Sequence, residues 1–89
     1  MHIEFDPDKD VINRDKHGRS LADAALLEID TAFIVPDEHR DYQEMRFQAY
    51  GLIEGRLHVL AFTVRGDVLR AISLRKANSR EEKRYGGKA

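Results

Sequence analysis

The stretch that decides the fold runs from residue 57 to residue 76 and reads LHVLAFTVRGDVLRAISLRK. Its first part, Leu57 to Val64, is apolar at almost every position, which is typical of a central strand covered on both faces. Arg65-Gly66-Asp67 then predicts a tight hairpin into a second strand from Val68 to Leu74. These two strands are expected to form the centre of an antiparallel sheet.

A third strand precedes them in the chain. Apolar and polar residues alternate over 45–50, which predicts that Met45, Phe47 and Ala49 are buried and that Arg46, Gln48 and Tyr50 lie on a polar face. Glu54-Gly55 predicts the turn into the central strand. The three strands together are expected to form a meander.

The N-terminal part predicts a strand, two helices and another strand. Residues 2–5 alternate as in a short strand, and Asp6-Pro7 supplies an N-cap followed by a ring suited to the first helical position. A helix is expected over 7–17, ended by Gly18, and a second short helix from a weak capping box at Ser20 to about residue 30. Residues 32–35 predict a strand closed by Pro36, and residues 37–42 a loop.

The C-terminus predicts one more helix. Asn78 or Ser79 can cap it, with Ser79 and Glu82 fitting a capping box, and Gly86-Gly87 ends it. The resulting order β-α-α-β-β-β-β-α predicts one α+β domain over residues 1–89, with two N-terminal helices and one C-terminal helix on one side of a mostly antiparallel sheet.

Charge is distributed very unevenly along the 89 residues. Residues 65–89 carry eight Lys or Arg and three Asp or Glu, whereas residues 1–64 carry seven and thirteen, for a net charge of −1. Because a phosphate backbone responds to the local field, the basic segment indicates a nucleic-acid site, the alternative being a solvated surface. The acidic remainder would either shield the protein from indiscriminate RNA binding or face a basic partner chain.

Several kinds of chemistry are disfavoured by the sequence. The chain has no cysteine, and His2, His17, His39 and His58 are too far apart to suggest a metal site, so no metal or cofactor is expected. No Gly-rich phosphate loop occurs, and Ser73 has no histidine near it in the sequence. No apolar run approaches the length of a membrane span, so a soluble cytoplasmic protein is expected.

The remaining candidates suit metal-free RNA cleavage, in which the 2′-hydroxyl attacks its own phosphate. That reaction needs cations on the phosphorane, and Arg65, Arg75, Lys76 and Arg80 are predicted to converge on one phosphate. His17, Glu44 and Tyr85 are the candidate proton carriers, although a helix-capping His, an Arg-paired Glu and a packing Tyr are the commoner roles. Lys16, Arg70, Lys83 and Arg84 are predicted RNA-binding cations, with Arg46 and Arg70 also expected to form ion pairs within the sheet.

The chain resembles the BrnT toxins of bacterial type II toxin–antitoxin systems. The resemblance rests on three ordered motifs: an opening one with Phe5, Asp6, Pro7, Lys9, Asn13, Lys16, His17 and Gly18; a middle one with Glu44, Arg46 and Gly51; and a closing one with Thr63, Arg65, Gly66, Asp67, Arg70, Ile72, Ser73, Arg75, Lys76, Ala77, Glu81 and Tyr85. Phe5 replaces the more usual Trp, and Leu74 the usual Ala.

The resemblance implies a RelE-like fold and a ribonuclease that arrests translation. It also implies a cognate BrnA-like antitoxin of the ribbon-helix-helix type, which neutralises the toxin and brings it to operator DNA. Two other functions stay open: a non-catalytic co-repressor that only binds the antitoxin, and a stand-alone RNA-binding module.

Overall fold

The computed structural model describes residues 2–37 and 44–89, and its centre is a five-stranded sheet in the order β1-β5-β4-β3-β2. The strands are β1 (His2–Glu4), β2 (Phe33–Asp37), β3 (Arg46–Ile53), β4 (Arg56–Arg65) and β5 (Val68–Lys76), and the α-helices are α1 (Pro7–His17) and α2 (Ser79–Tyr85). All neighbouring strands are antiparallel except β1 and β5. The predicted α+β class and the meander are confirmed, while His39 and most of the predicted 37–42 loop lie outside the described residues.

Helix α1 begins and ends as its sequence predicts. The Asp6 side chain accepts a hydrogen bond from the Asp8 amide, and Gly18 ends the helix in the left-handed conformation at φ 67°. The helix is tied to the sheet by Asn13, whose side chain bonds both the amide and the carbonyl of Leu74 in β5. Since β1 pairs only with residues 68–70 of β5, the Asn13 side chain supplies hydrogen bonds to a part of the β5 edge that β1 does not reach.

The second predicted helix has a different form. Ser20 is its N-cap, but Leu21–Leu26 is a 3₁₀-helix, followed by a second 3₁₀ turn at Ile29–Thr31. The Asp10 carboxylate accepts the Leu21 amide at 2.6 Å and holds this turn against α1. The second predicted N-terminal helix is therefore present as a 3₁₀-helix that ends at Leu26, before the predicted end near residue 30.

Two hydrophobic clusters cover the two faces of the sheet, and the helices are divided between them. The larger cluster packs Leu21 and Ala24 of the 3₁₀-helix on Leu60 and Leu74, and we call this side the core face. The smaller one packs Tyr85 of α2 against Tyr50, Leu57, Val59 and Ala77 on the opposite side. The prediction that all helices lie on one side was therefore wrong.

Two strand predictions also need correction. Pro36 does not close β2, which continues to Asp37, because β2 is an edge strand and a proline there loses no ladder hydrogen bond. In β3 the alternation holds, but Tyr50 is buried because α2 covers the face that was expected to be exposed to solvent. Met45, which directly precedes β3, was predicted to be buried and is 65% exposed.

No helix within residues 2–37 and 44–89 is long and apolar enough to cross a membrane.

Candidate active site

The strand register places three rows of mostly polar side chains on the face opposite the core face. Cross-strand partners share a face, so Arg46, Thr63 and Arg70 form one row with Glu4. The next row holds Gln48, Ala61 and Ser73, and the third holds Tyr50, Val59 and Arg75. We call this surface the arginine face. Its first and third rows are four residues apart along β4, about 13 Å.

At the hairpin end of the arginine face, two arginines are held by glutamates from the acidic part of the chain. Arg65 donates Nε and Nη2 to both carboxylate oxygens of Glu44, at 3.0 and 2.8 Å. Arg70 donates to Glu4 at 2.9 Å, which confirms its predicted ion pair. The Arg65 hydrogen bonds hold the pKa of Glu44 below its ordinary value, so this carboxylate is a weak base.

At the other end, helix α2 is docked through Arg75. Arg75 donates both guanidinium nitrogens to Glu81, at 2.8 and 2.9 Å. Glu81 also accepts the Asn78 amide, while the Asn78 side chain accepts the Glu81 amide, so the capping box starts at Asn78 and not at Ser79. Hydrogen bonding from Arg75 lowers the pKa of Glu81, and Glu81 raises that of Arg75.

An aromatic stack connects α2 to the third polar row. The Tyr85 ring lies 3.9 Å from the Tyr50 ring and 5.5 Å from that of Phe33, centroid to centroid. The Tyr50 hydroxyl donates to Oε1 of Gln48 at 2.8 Å. Burial is the main reason that the pKa of Tyr50 is raised, so its hydroxyl keeps its proton near neutral pH. The commoner role of Tyr85, packing, is what the structure displays.

A small cavity lies between α1 and β5, at the edge of the arginine face. It has a volume of about 210 Å³ and is lined by Lys9, Ile12, Asn13, Lys16, His17, Ile72 and Ser73. The side chains of Lys9 and Lys16 make no hydrogen bond or ion pair with any residue in the described parts of the chain. Folding thus brings Ser73 and His17 to one cavity, although they are distant in the sequence.

The predicted residues divide into separate groups. Arg65 lies six residues along β4 from Val59, the cross-strand partner of Arg75. This spacing corresponds to about 20 Å of strand, so the predicted convergence of Arg65 with Arg75 on one phosphate was wrong. Glu44 lies with Arg65. Lys76 follows Arg75, and the exposed cations Arg80, Lys83 and Arg84 lie on α2, where Arg84 also approaches the Tyr85 ring.

Several polar groups that folding brings to the site are not among the predicted site residues. Gln48, Ser73 and Lys9 lie on or beside the arginine face, and Glu4 anchors Arg70. The signal for Gln48 was its place in the alternation of β3. The remaining positions depend on which strands become neighbours.

The fold and this site define a class of small α+β protein, one with an arginine-bearing sheet face closed at one end by a C-terminal helix. The chain belongs to the BrnT family: residues 5–81 match the family described as "Ribonuclease toxin, BrnT, of type II toxin-antitoxin system". Membership implies an antitoxin partner. A comparison with curated proteins returns no match.

Proposed function

We propose that the protein is a metal-independent endoribonuclease toxin, with the RelE-like fold, that cuts RNA on the arginine face. The observation that carries the proposal is the placing of Arg70 and Arg75 two rows apart on a half-buried polar sheet, with the Lys16 and His17 cavity at its edge. A single RNA strand following β5 would meet cations at both ends and at the side. Arginine suits this use because its planar guanidinium binds phosphate with paired hydrogen bonds.

The chemistry requires a cation on the phosphorane and two proton transfers. By register, Arg70 and Arg75 each lie one row from Ser73 of the cavity, and Arg75, which Glu81 holds through two hydrogen bonds, is assigned to the phosphorane charge. His17 is assigned to proton transfer, because an imidazole ring can both accept and donate a proton. Lys16, Arg80, Lys83 and Arg84 are assigned to the RNA backbone, and Glu44 with Arg65 to structure at the hairpin end. Lys76 directly follows Arg75 in β5 and so lies by register on the opposite side of the sheet from the arginine face.

The Arg75–Glu81 pair has a mechanistic consequence. Glu81 accepts from the Nη1 and Nη2 atoms of Arg75 and so keeps the guanidinium oriented. A phosphate would bind at the Nε side of the guanidinium or replace these hydrogen bonds. In the cell, cleavage would arrest translation in the cytoplasm, and a BrnA-like ribbon-helix-helix antitoxin would neutralise the toxin and carry it to operator DNA.

One observation favours a second candidate function. Arg65, Arg70 and Arg75 are each paired with a glutamate, as structural arginines are. A non-catalytic co-repressor or RNA-binding module would need no more than this arrangement.

Incubating the purified protein with a defined single-stranded RNA in excess chelator separates the candidates. We expect the wild type to leave 5′-hydroxyl and cyclic or 3′-phosphate ends, and Arg75→Ala to leave the RNA intact. Arg56→Ala is the matched control, because Arg56 also joins the sheet to α2, through Glu82 at 3.3 Å, but lies outside the polar rows. Cleavage by Arg75→Ala at the wild-type rate would refute the assignment, and intact RNA with the wild type would favour the non-catalytic function.

A further inference from the structure

Among the residues that the structure describes, those lining a groove on the core face are all apolar. Its volume is about 280 Å³ and its walls are Ile29, Ile34, Phe47, Phe62, Val64 and Leu69. A neighbouring cavity of about 230 Å³ shares Ile29 and Leu69 and continues beneath the 3₁₀-helix. The groove thus lies on the side of the sheet opposite the arginine face.

The rim of this groove exposes more apolar surface than packing of the chain itself requires. Ile29, Ile34 and Val64 are 37%, 44% and 38% exposed, and the exposed Met45 directly precedes β3. Single exposed apolar residues are ordinary, but several that share one groove mark an interaction site.

Charge around the groove restricts what can occupy it. Residues 20–37, which supply Ile29 and Ile34, contain four acidic residues and no Lys, Arg or His. Glu28 and Asp30 flank Ile29, are exposed, and form no ion pair with any residue in the described part of the chain. An acidic rim repels RNA. It also opposes a symmetric dimer through this groove, since a two-fold interface would place the same carboxylates against each other.

We infer that the groove binds an apolar segment of the cognate antitoxin that is flanked by Lys or Arg. The inference rests on the proposed function, which makes a neutralising antitoxin the partner, and on the groove, which provides the binding site. Apolar side chains of the segment would fill the groove while its cations meet Glu28 and Asp30. Because the arginine face lies on the other side of the sheet, this segment docks without covering the polar rows.

The test measures the affinity of the protein for its purified cognate antitoxin. Ile34→Lys and Val64→Lys each place a cation in the groove, and we expect each to weaken binding about tenfold or more by calorimetry. Val11→Lys is the matched control, because Val11 is 66% exposed on α1 and does not line the groove. Unchanged circular dichroism and thermal midpoint establish that the variants fold.

Each outcome decides the proposal. Wild-type affinity in both groove variants, or an equal loss in Val11→Lys, would overturn it. So would a wild-type dimer that Ile34→Lys dissociates without weakening the antitoxin complex, since the groove would then bind a second copy. RNA cleavage is assayed in parallel: a selective loss of antitoxin binding in a protein that never cuts RNA would support the groove and refute the proposed enzyme instead.

Discussion

Asn13 is the residue that joins helix α1 to the sheet. Its buried side chain donates to the carbonyls of Arg19 and Leu74 and accepts the Leu74 amide at 3.0 Å. We expect Asn13→Ala to lower the free energy of unfolding by about 2–3 kcal/mol, because buried polar groups would lose their partners. Urea denaturation measures this, with Asn78→Ala, a cap of the exposed helix α2, expected to cost about 1 kcal/mol. A smaller loss for Asn13→Ala than for Asn78→Ala would contradict the role assigned to Asn13.

His58 is a second buried polar residue, and its contribution depends on pH. Nδ1 lies 2.8 Å from the Arg56 carbonyl, whereas Nε2 has no partner among the described residues. Burial is the main reason that the pKa of His58 is lowered, and the nearby charges of Arg19, Arg56 and Lys76 lower it further. The neutral ring is therefore the form that the fold accepts.

The direction of the pH effect follows from this lowered pKa. Below pH about 6.5 the unfolded chain takes up a proton at His58 that the folded protein resists, so the free energy of unfolding falls as the pH falls. Asp10, Glu44 and Glu81 have lowered pKa values, so they stabilise the folded protein at neutral pH and lose this contribution only in more acidic solution. We expect urea midpoints between pH 7.5 and 5.5 to decrease in the wild type and in His17→Gln, and to decrease less in His58→Leu. Equal decreases in all three proteins would exclude His58 as the source.

At the scale of elements, α2 depends on its side-chain contacts with the sheet. It has seven residues, none buried, and a helix this short is unstable alone. We expect Tyr85→Ala to abolish protection of the α2 amides from hydrogen exchange while those of β4 stay protected, because the stack on Tyr50 is lost. Tyr85→Phe keeps the stack and should behave as the wild type in exchange. Unchanged α2 protection in Tyr85→Ala would show that Arg75 and Glu81 suffice.

The same variants separate packing from chemistry at Tyr85. If the ring alone is needed to dock α2 over Arg75, Tyr85→Phe retains RNA cleavage and Tyr85→Ala loses most of it. Loss of cleavage in Tyr85→Phe with normal exchange would instead identify the hydroxyl as a catalytic group.

The elements also show what the sequence could and could not predict. The strands, α1 and the hairpin were predictable because alternation, Asp6-Pro7 and Gly66 act within a few residues. The 3₁₀ form of Leu21–Leu26 and the burial of Tyr50 were not predictable. They depend on the contact of Asp10 with Leu21 and on the docking of α2, which join parts of the chain that are separated in sequence. For the site, the arginines were recognisable by type, but the Glu44 and Glu4 partners of Arg65 and Arg70 depend on which strands become neighbours. The separation of Arg65 from Arg75 follows instead from the register of the β4–β5 hairpin.

At the scale of the whole molecule, the sheet separates two surfaces of different chemistry. The polar rows and the basic α2 lie on one side, and the apolar groove with its acidic rim on the other. A net charge of −1 therefore conceals local fields of opposite sign. Since phosphate responds to the local field, RNA affinity should depend on salt despite the total charge.

That dependence can be measured with a 2′-O-methyl oligonucleotide, which lacks the attacking hydroxyl and so stays intact. If Arg70, Arg75 and Lys16 neutralise about three phosphates, the logarithm of the binding constant should fall with the logarithm of salt concentration with a slope of about −2. Arg70→Ala and Lys16→Ala should each reduce the magnitude of that slope by about 0.7, because each removes one phosphate contact, whereas Arg56→Ala should leave it unchanged. A slope near zero in the wild type would mean that the glutamate partners cancel the arginine face, and that RNA binds elsewhere or not at all.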